Sequence, residues 1–204
     1  MPATRAAVAP EHETATRAPR RGRLVAAATV AALCLSFATI QAADAATSVD
    51  PATYVHSICT TLDGYKTQLT GLQNSTDLAN STSLAEIRDK LVAFLSQATT
   101  VTDTTATGLQ SAGAPSIKNG DKIATLIVAE VTALRDAFAK ATRSAQALNV
   151  GNIKKFKKQE LAISKQINTA GSKVKGVFTD AKKKYDTKPL KASQTQDPSC
   201  QSLR

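Results

Sequence analysis

The sequence predicts an all-α domain: an antiparallel up-down four-helix bundle with coiled-coil-like seams and an extended C-terminal tail tethered by a disulfide. Three observations predict it. Apolar residues recur at alternating spacings of three and four in four long segments, which puts each set on one stripe of a helix. The chain has no Trp, five Phe and three Tyr, so a core must come from Leu, Ile, Val and Ala, a composition better suited to packed helices than to a sheet sandwich. Two cysteines, Cys59 and Cys200, stand near opposite ends of the part that follows an export signal.

The export signal occupies residues 1–45. Arg17, Arg20, Arg21 and Arg23 make a cationic start, "LVAAATVAALCLSFATI" an apolar stretch, and Ala43-Asp44-Ala45 a small-x-small cleavage site. The apolar run is shorter than the roughly 20 residues of a membrane-spanning helix. Arg23 stands where a twin-arginine signal prefers an apolar residue, so the Arg20-Arg21 pair does not fix the export route. Cys34 follows Leu33, whereas a lipidated cysteine normally follows a small residue. A secreted, extracellular protein is therefore the expectation, and a membrane-anchored lipoprotein through Cys34 the lesser alternative.

Residues 46–204 then form a single helical-bundle domain. The first helix, about 51–73, opens on Asp50-Pro51, a capping residue followed by proline at the first helical position, and carries Val55, Ile58, Leu62, Tyr65, Leu69 and Leu72. The second, about 83–111, starts at the capping box Ser83-Leu84-Ala85-Glu86 and carries Leu84, Ile87, Leu91, Phe94, Ala98 and Val101. Its threonine-rich later half is weaker, because threonine is a modest helix former. "SAGAPSIKNG" breaks the pattern.

The third helix, about 120–149, carries Ala124, Ile127, Val131, Leu134, Phe138, Ala141, Ala145 and Leu148 and stops at Gly151. The fourth, about 152–186, carries Ile153, Phe156, Ile163, Ile167, Ala170, Val174, Val177, Ala181 and Tyr185, with Glu160 interrupting the seam. Short connections favour antiparallel neighbours, which returns the end of the fourth helix to the start of the first. The tail, 187–204, contains Pro189 and Pro198 and is predicted to be extended. Cleavage removes Cys34, so Cys59 and Cys200 are left to pair in an oxidising compartment, the tail folding back to clasp the first helix. Closing so long a loop is worth up to roughly 5 kcal/mol in the chain-entropy account.

Little in the sequence points to catalysis. After residue 45 there is one histidine, His56, which lies off the apolar stripe and reads as an exposed polar residue. A zinc site needs three or four ligands, which His56 and paired cysteines do not supply. The carboxylates are scattered, with no Glu-x-x-His motif, and "GAPSIKNG" lacks the lysine-threonine pair and the preceding strand of a phosphate-binding loop. No catalytic residue, metal or cofactor is assigned. Asn74-Ser75-Thr76 and Asn80-Ser81-Thr82 fit the N-glycosylation pattern, which matters only in a host that glycosylates asparagine.

Charge is more informative. Residues 46–149 hold eight Lys or Arg against nine Asp or Glu, a balance of −1, whereas residues 150–204 hold thirteen against four, +9. The excess sits on the fourth helix, as Lys154, Lys155, Lys157, Lys158, Lys165, Lys173, Lys175, Lys182, Lys183 and Lys184, and continues to Lys188 and Lys191 in the tail. So many like charges repel one another unless an anionic surface awaits them. The helix has no Arg and no interleaved aromatics that would stack on bases, which argues for loose attraction to an anionic envelope polymer or lipid headgroups rather than specific nucleic-acid recognition.

The stretches "YVHSICTTL", "LVAFLSQA", "GAPSIKNGDKIA", "AFAKATRSAQAL" and "PSCQSL" together resemble a family of small secreted or lipid-anchored helical proteins of actinomycete bacteria. The resemblance spans essentially all of the chain after the signal. It implies a pairing of the early and terminal cysteines, here Cys59 and Cys200, and brings no activity or catalytic residues. The lysine-rich fourth helix departs from the more neutral one of many relatives, and the lack of a convincing lipid-attachment cysteine favours free secretion.

The leading functional expectation is a non-enzymatic envelope or extracellular module whose basic helix adheres to anionic cell-surface material. The second is a carrier of a small apolar ligand between the helices. Packing separates them: Ala98, Ala141, Ala145, Ala170 and Ala181 either let helices approach or leave a cavity, and a pocket of several hundred Å3 lined by apolar side chains favours the carrier.

Overall fold

The computed structural model describes residues 47–78 and 80–203; the predicted signal peptide, with Cys34 and its arginines, lies outside the described residues. The described chain is mostly helical, and Cys59 and Cys200 are joined in a disulfide with their Cα atoms 4.9 Å apart. The elements in order are β1 (Ser48–Val49), α1 (Pro51–Ser75), α2 (Leu84–Ser111), β2 (Ala114–Pro115), α3 (Gly120–Gln146), α4 (Ile153–Lys184), α5 (Lys188–Gln196) and a closing 3-10 helix (Pro198–Leu203).

The helix starts follow their capping chemistry. Asp50 Oδ1 accepts from the Ala52 and Thr53 amides at 2.8 and 3.3 Å, satisfying two otherwise orphan donors of α1. At the start of α2, Ser83 Oγ accepts from the Glu86 amide at 3.1 Å. The reciprocal arm reaches one residue further back than a capping box requires: Glu86 Oε2 accepts from the Thr82 amide and hydroxyl at 2.8 and 3.0 Å. Bonds from Lys90 first, then from Thr82, push the Glu86 carboxyl down to about 2. Asn152 Oδ1 caps α4 by accepting from the Lys155 amide at 3.1 Å.

The threonine-rich half of α2 is helical throughout, and its inward stripe differs from the expected one. Leu95, Ala98, Thr102, Thr105 and Leu109 are buried, while Phe94 and Val101 are half-buried. Thr102 and Thr105 can occupy the stripe because each hydroxyl donates to a carbonyl one turn back, Ala98 at 2.7 Å and Val101 at 2.9 Å. A buried hydroxyl so bonded carries no unmet polar group into the core. On α3 every expected stripe residue from Ala124 to Leu148 is buried.

On α4 the stripe holds at Phe156, Ile163, Val177 and Ala181, but Ile153 is exposed. It stands at the first helical position, where the Cα–Cβ bond tilts back toward the capping loop rather than onto the neighbouring helix. α1 packs along α2, α2 along α3 and α3 along α4, whereas α1 and α4 are not closely packed backbone to backbone. The core lies in two clusters, one around Tyr54, Ile58, Leu109 and Ile127, the other around Leu95, Leu134, Phe138 and Phe156, and half-buried Val174 packs against both.

Two further features depart from the sequence expectation. The tail is not extended: it forms α5 and the 3-10 helix, both packed on α1. Pro189 falls in the first turn of α5 and Pro198 opens the 3-10 helix, positions where a missing amide breaks no bond, so the prolines start helices here instead of preventing them. The second is a parallel pairing of β1 with β2, Ser48 opposite Ala114 and Val49 opposite Pro115. The Ala114 and Ser116 amides donate to the Thr47 and Val49 carbonyls at 3.0 and 2.7 Å, so Pro115, which cannot donate, stands between the two donors. Close approach demands glycine on both sides of β2: Gly113 has φ +73°, and a Cβ on Gly120 would collide with the Pro115 carbonyl.

Candidate functional site: a cleft and a lysine face

Where α1 and α4 fail to close on each other, a cleft of about 410 Å3 remains. Its floor is apolar. Val55, Ile58 and Leu62 project from α1, Ile123 and Ile127 from α3, and Phe178 and Ala181 from the last turns of α4. The C-terminal segment supplies the remaining wall through Leu190 of α5 and Leu203 of the 3-10 helix, and Cys59, which is bonded to Cys200, is also among the lining residues. Two lysines line the cleft, Lys182 and Lys191, and no carboxylate does.

The seam alanines divide between the two roles considered for them. Ala98, Ala141 and Ala145 are fully buried in the cluster between α2 and α3, where small side chains permit close approach. Ala181 lines the cleft, where its small size leaves space. Tyr54, 2% exposed, also lines the cleft. Burial pushes its phenol up to about 12, so it remains a neutral donor across the physiological range.

The clasp is held by more than its disulfide. His56 Nδ1 lies 3.0 Å from Asp197 Oδ2, and the other oxygen of Asp197 accepts from the Ser199 hydroxyl and amide at 2.6 and 2.8 Å. Lys66 Nζ donates to the Ser202 carbonyl at 2.6 Å. The bond from Ser199 Oγ is the chief cause that holds the Asp197 carboxyl below its ordinary value, with His56 contributing further. Because Ser199 donates to Asp197 and not to the imidazole, the trio lacks the nucleophile–base contact of a hydrolytic relay. Sequence reasoning placed His56 on the surface, where it is, but gave no hint of Asp197 as its partner, since the two meet only through the fold of the tail.

The lysines of α4 fall where the sequence put them. Lys154, Lys155, Lys157, Lys158, Lys165, Lys173, Lys175, Lys182, Lys183 and Lys184 are all exposed. Among the described residues one ion pair involves them, Lys183 to Asp180 at 3.8 Å. Lys182, Lys183 and Lys184 occupy the last turn, where cations favour the negative end of the helix dipole. Leu161, 67% exposed, stands among polar residues on this outward face. Among the described residues no helix is long and apolar enough to cross a membrane, and no group of three or more His, Cys, Asp or Glu is placed to hold a metal ion. No family model matches the chain, and no curated protein or solved structure shows significant similarity to it.

Proposed function

We propose that this protein is a non-enzymatic carrier that holds a small apolar or amphipathic molecule in the cleft bounded by α1, α3, α4 and the C-terminal segment. One observation carries the reading: a largely apolar cleft of about 410 Å3 lined jointly by α1, α3, α4 and the C-terminal segment, whereas the other hollow of that volume is lined by α4 alone and mostly by polar side chains. Ligand pockets run from roughly 300 to 1,000 Å3, and interiors without such a role pack to near-crystalline density. In this reading the four long helices form an antiparallel up-down bundle left open along its α1–α4 seam. The chain works outside the cell after loss of residues 1–45, as a member of the actinomycete secreted helical family that its motifs resemble, and a lipid anchor at Cys34 is the lesser alternative. Mass spectrometry of the protein recovered from its native culture medium should find a small apolar molecule at close to one per chain. Recovery of ligand-free protein that also binds no apolar probe would sink the carrier.

A second reading is favoured by a separate observation, the exposure of all ten α4 lysines with a single acidic partner among the described residues. Such a face suits reversible attachment to an anionic envelope polymer or to lipid headgroups, and the two roles are compatible in one molecule. Attachment of this kind weakens with salt, because exposed charges are screened over about 8 Å at physiological ionic strength.

A further inference from the structure

The charge at the mouth of the cleft carries the carrier reading one step further and names the ligand class. The charged side chains that line the cleft are Lys182 on α4 and Lys191 on α5, both exposed and both cationic. The carboxylates nearest in sequence are already engaged, Asp180 by Lys183 at 3.8 Å and Asp186 by the Lys188 amide at 3.1 Å. The rest of the lining is mostly apolar, with Tyr54, Thr179, Thr187 and Gln194 as its uncharged polar members. A volume of about 410 Å3 sits near the lower end of the range for ligand pockets, room for one chain rather than two.

We propose that the cleft takes a single-chain amphiphile with an anionic head, its chain laid against Ile58, Leu62 and Ile127 and its head held at the rim by Lys182 and Lys191. An uncharged ligand would gain nothing from the two lysines, and a cationic one would be repelled by them. The C-terminal segment takes part directly, since Lys191 belongs to it and the Cys59–Cys200 bond keeps it in place.

This rests on the carrier reading, and titration calorimetry with three probes of equal chain length separates the two. Decanoate, decanol and decylamine are titrated into the purified disulfide-intact protein at low salt, alongside the variant Lys182→Gln/Lys191→Gln. Decanoate should bind tightest and decylamine weakest. The double variant should lower decanoate affinity by about three- to tenfold, the range for exposed charge contacts at a rim, and leave decanol unchanged. Raising the salt should close the gap between decanoate and decanol in the parent protein. The variant Lys154→Gln/Lys155→Gln/Lys157→Gln/Lys158→Gln, at the other end of α4, should bind decanoate like the parent. If decanoate and decanol bind equally and neither responds to the rim substitutions, the anionic head is wrong while the carrier stands. If none of the three binds, the carrier itself is wrong.

Discussion

His56 and Asp197 touch at 3.0 Å across the same 141-residue separation that divides Cys59 from Cys200. Each member of the polar pair thus precedes its cysteine by three residues. On α1 that spacing puts His56 and Cys59 on one helical face, so the clasp has an ionisable rung one turn from its covalent one.

The first prediction concerns acid. The Asp197 carboxyl is held below its ordinary value, first by Ser199 and then by His56. A depressed folded value contributes stability that is present above the unfolded carboxylate value of about 3.9 and is lost as pH falls through the folded one. Protection of the Ser199 and Cys200 amides against exchange, relative to their intrinsic rates, should therefore fall on acidification below about pH 4. The variant Asp197→Asn should exchange faster already at neutral pH and lose this acid dependence.

The second concerns the covalent rung. Free-thiol labelling of the unreduced protein should find essentially none. The variant Cys59→Ala/Cys200→Ala should be less stable by about 2–5 kcal/mol in denaturant unfolding, the range for native disulfides. Because the tail forms one wall of the cleft, this variant should also bind apolar probes more weakly. A variant as stable as the parent would mean that packing alone holds the tail on α1.

The third tests the lysine face. Changing Lys154, Lys155, Lys157 and Lys158 to Gln should lower the salt concentration at which the protein elutes from an anionic column. Each lysine near an anionic membrane is worth on the order of 1 kcal/mol. Circular dichroism should be unchanged, since all four side chains are exposed. Equal elution of parent and variant would reduce these lysines to a solvated surface.

The fourth tests the turn around β2. The substitution Gly120→Ala puts a methyl against the Pro115 carbonyl, a backbone atom that cannot swing aside. It should destabilise the protein by more than about 1 kcal/mol, whereas Gly64→Ala, with open space around it inside α1, should stabilise by about 0.5–1 kcal/mol. Thermal unfolding of the two variants would give shifts of opposite sign.

What the sequence revealed depended on how local the cause was. The α3 stripe was legible to the residue because its period is regular and every member is apolar. The α2 stripe was misread at Phe94 and Val101, since a hydropathy pattern ranks Thr102 and Thr105 as polar and cannot register that each hydroxyl is satisfied within its own helix. The disulfide followed from counting the cysteines that lie after the predicted export signal. The helical state of the tail did not follow, because α5 has no buried residue and a weak pattern, and it is packing on α1 that selects it. The exposed lysines of α4 were legible as composition, whereas the cleft was not, for it arises where the backbones of α1 and α4 are not closely packed.

The Cys59–Cys200 bond also closes the polypeptide between those two residues into a ring. A protease that enters at the exposed loop between α1 and α2 cuts this ring once and releases nothing: the two pieces remain one molecule of unchanged mass on a non-reducing gel, apart from the water added. Both pieces stay tied across the very wall that bounds the cleft, so a nicked chain is in a position to reseat its own severed half instead of losing it by dilution.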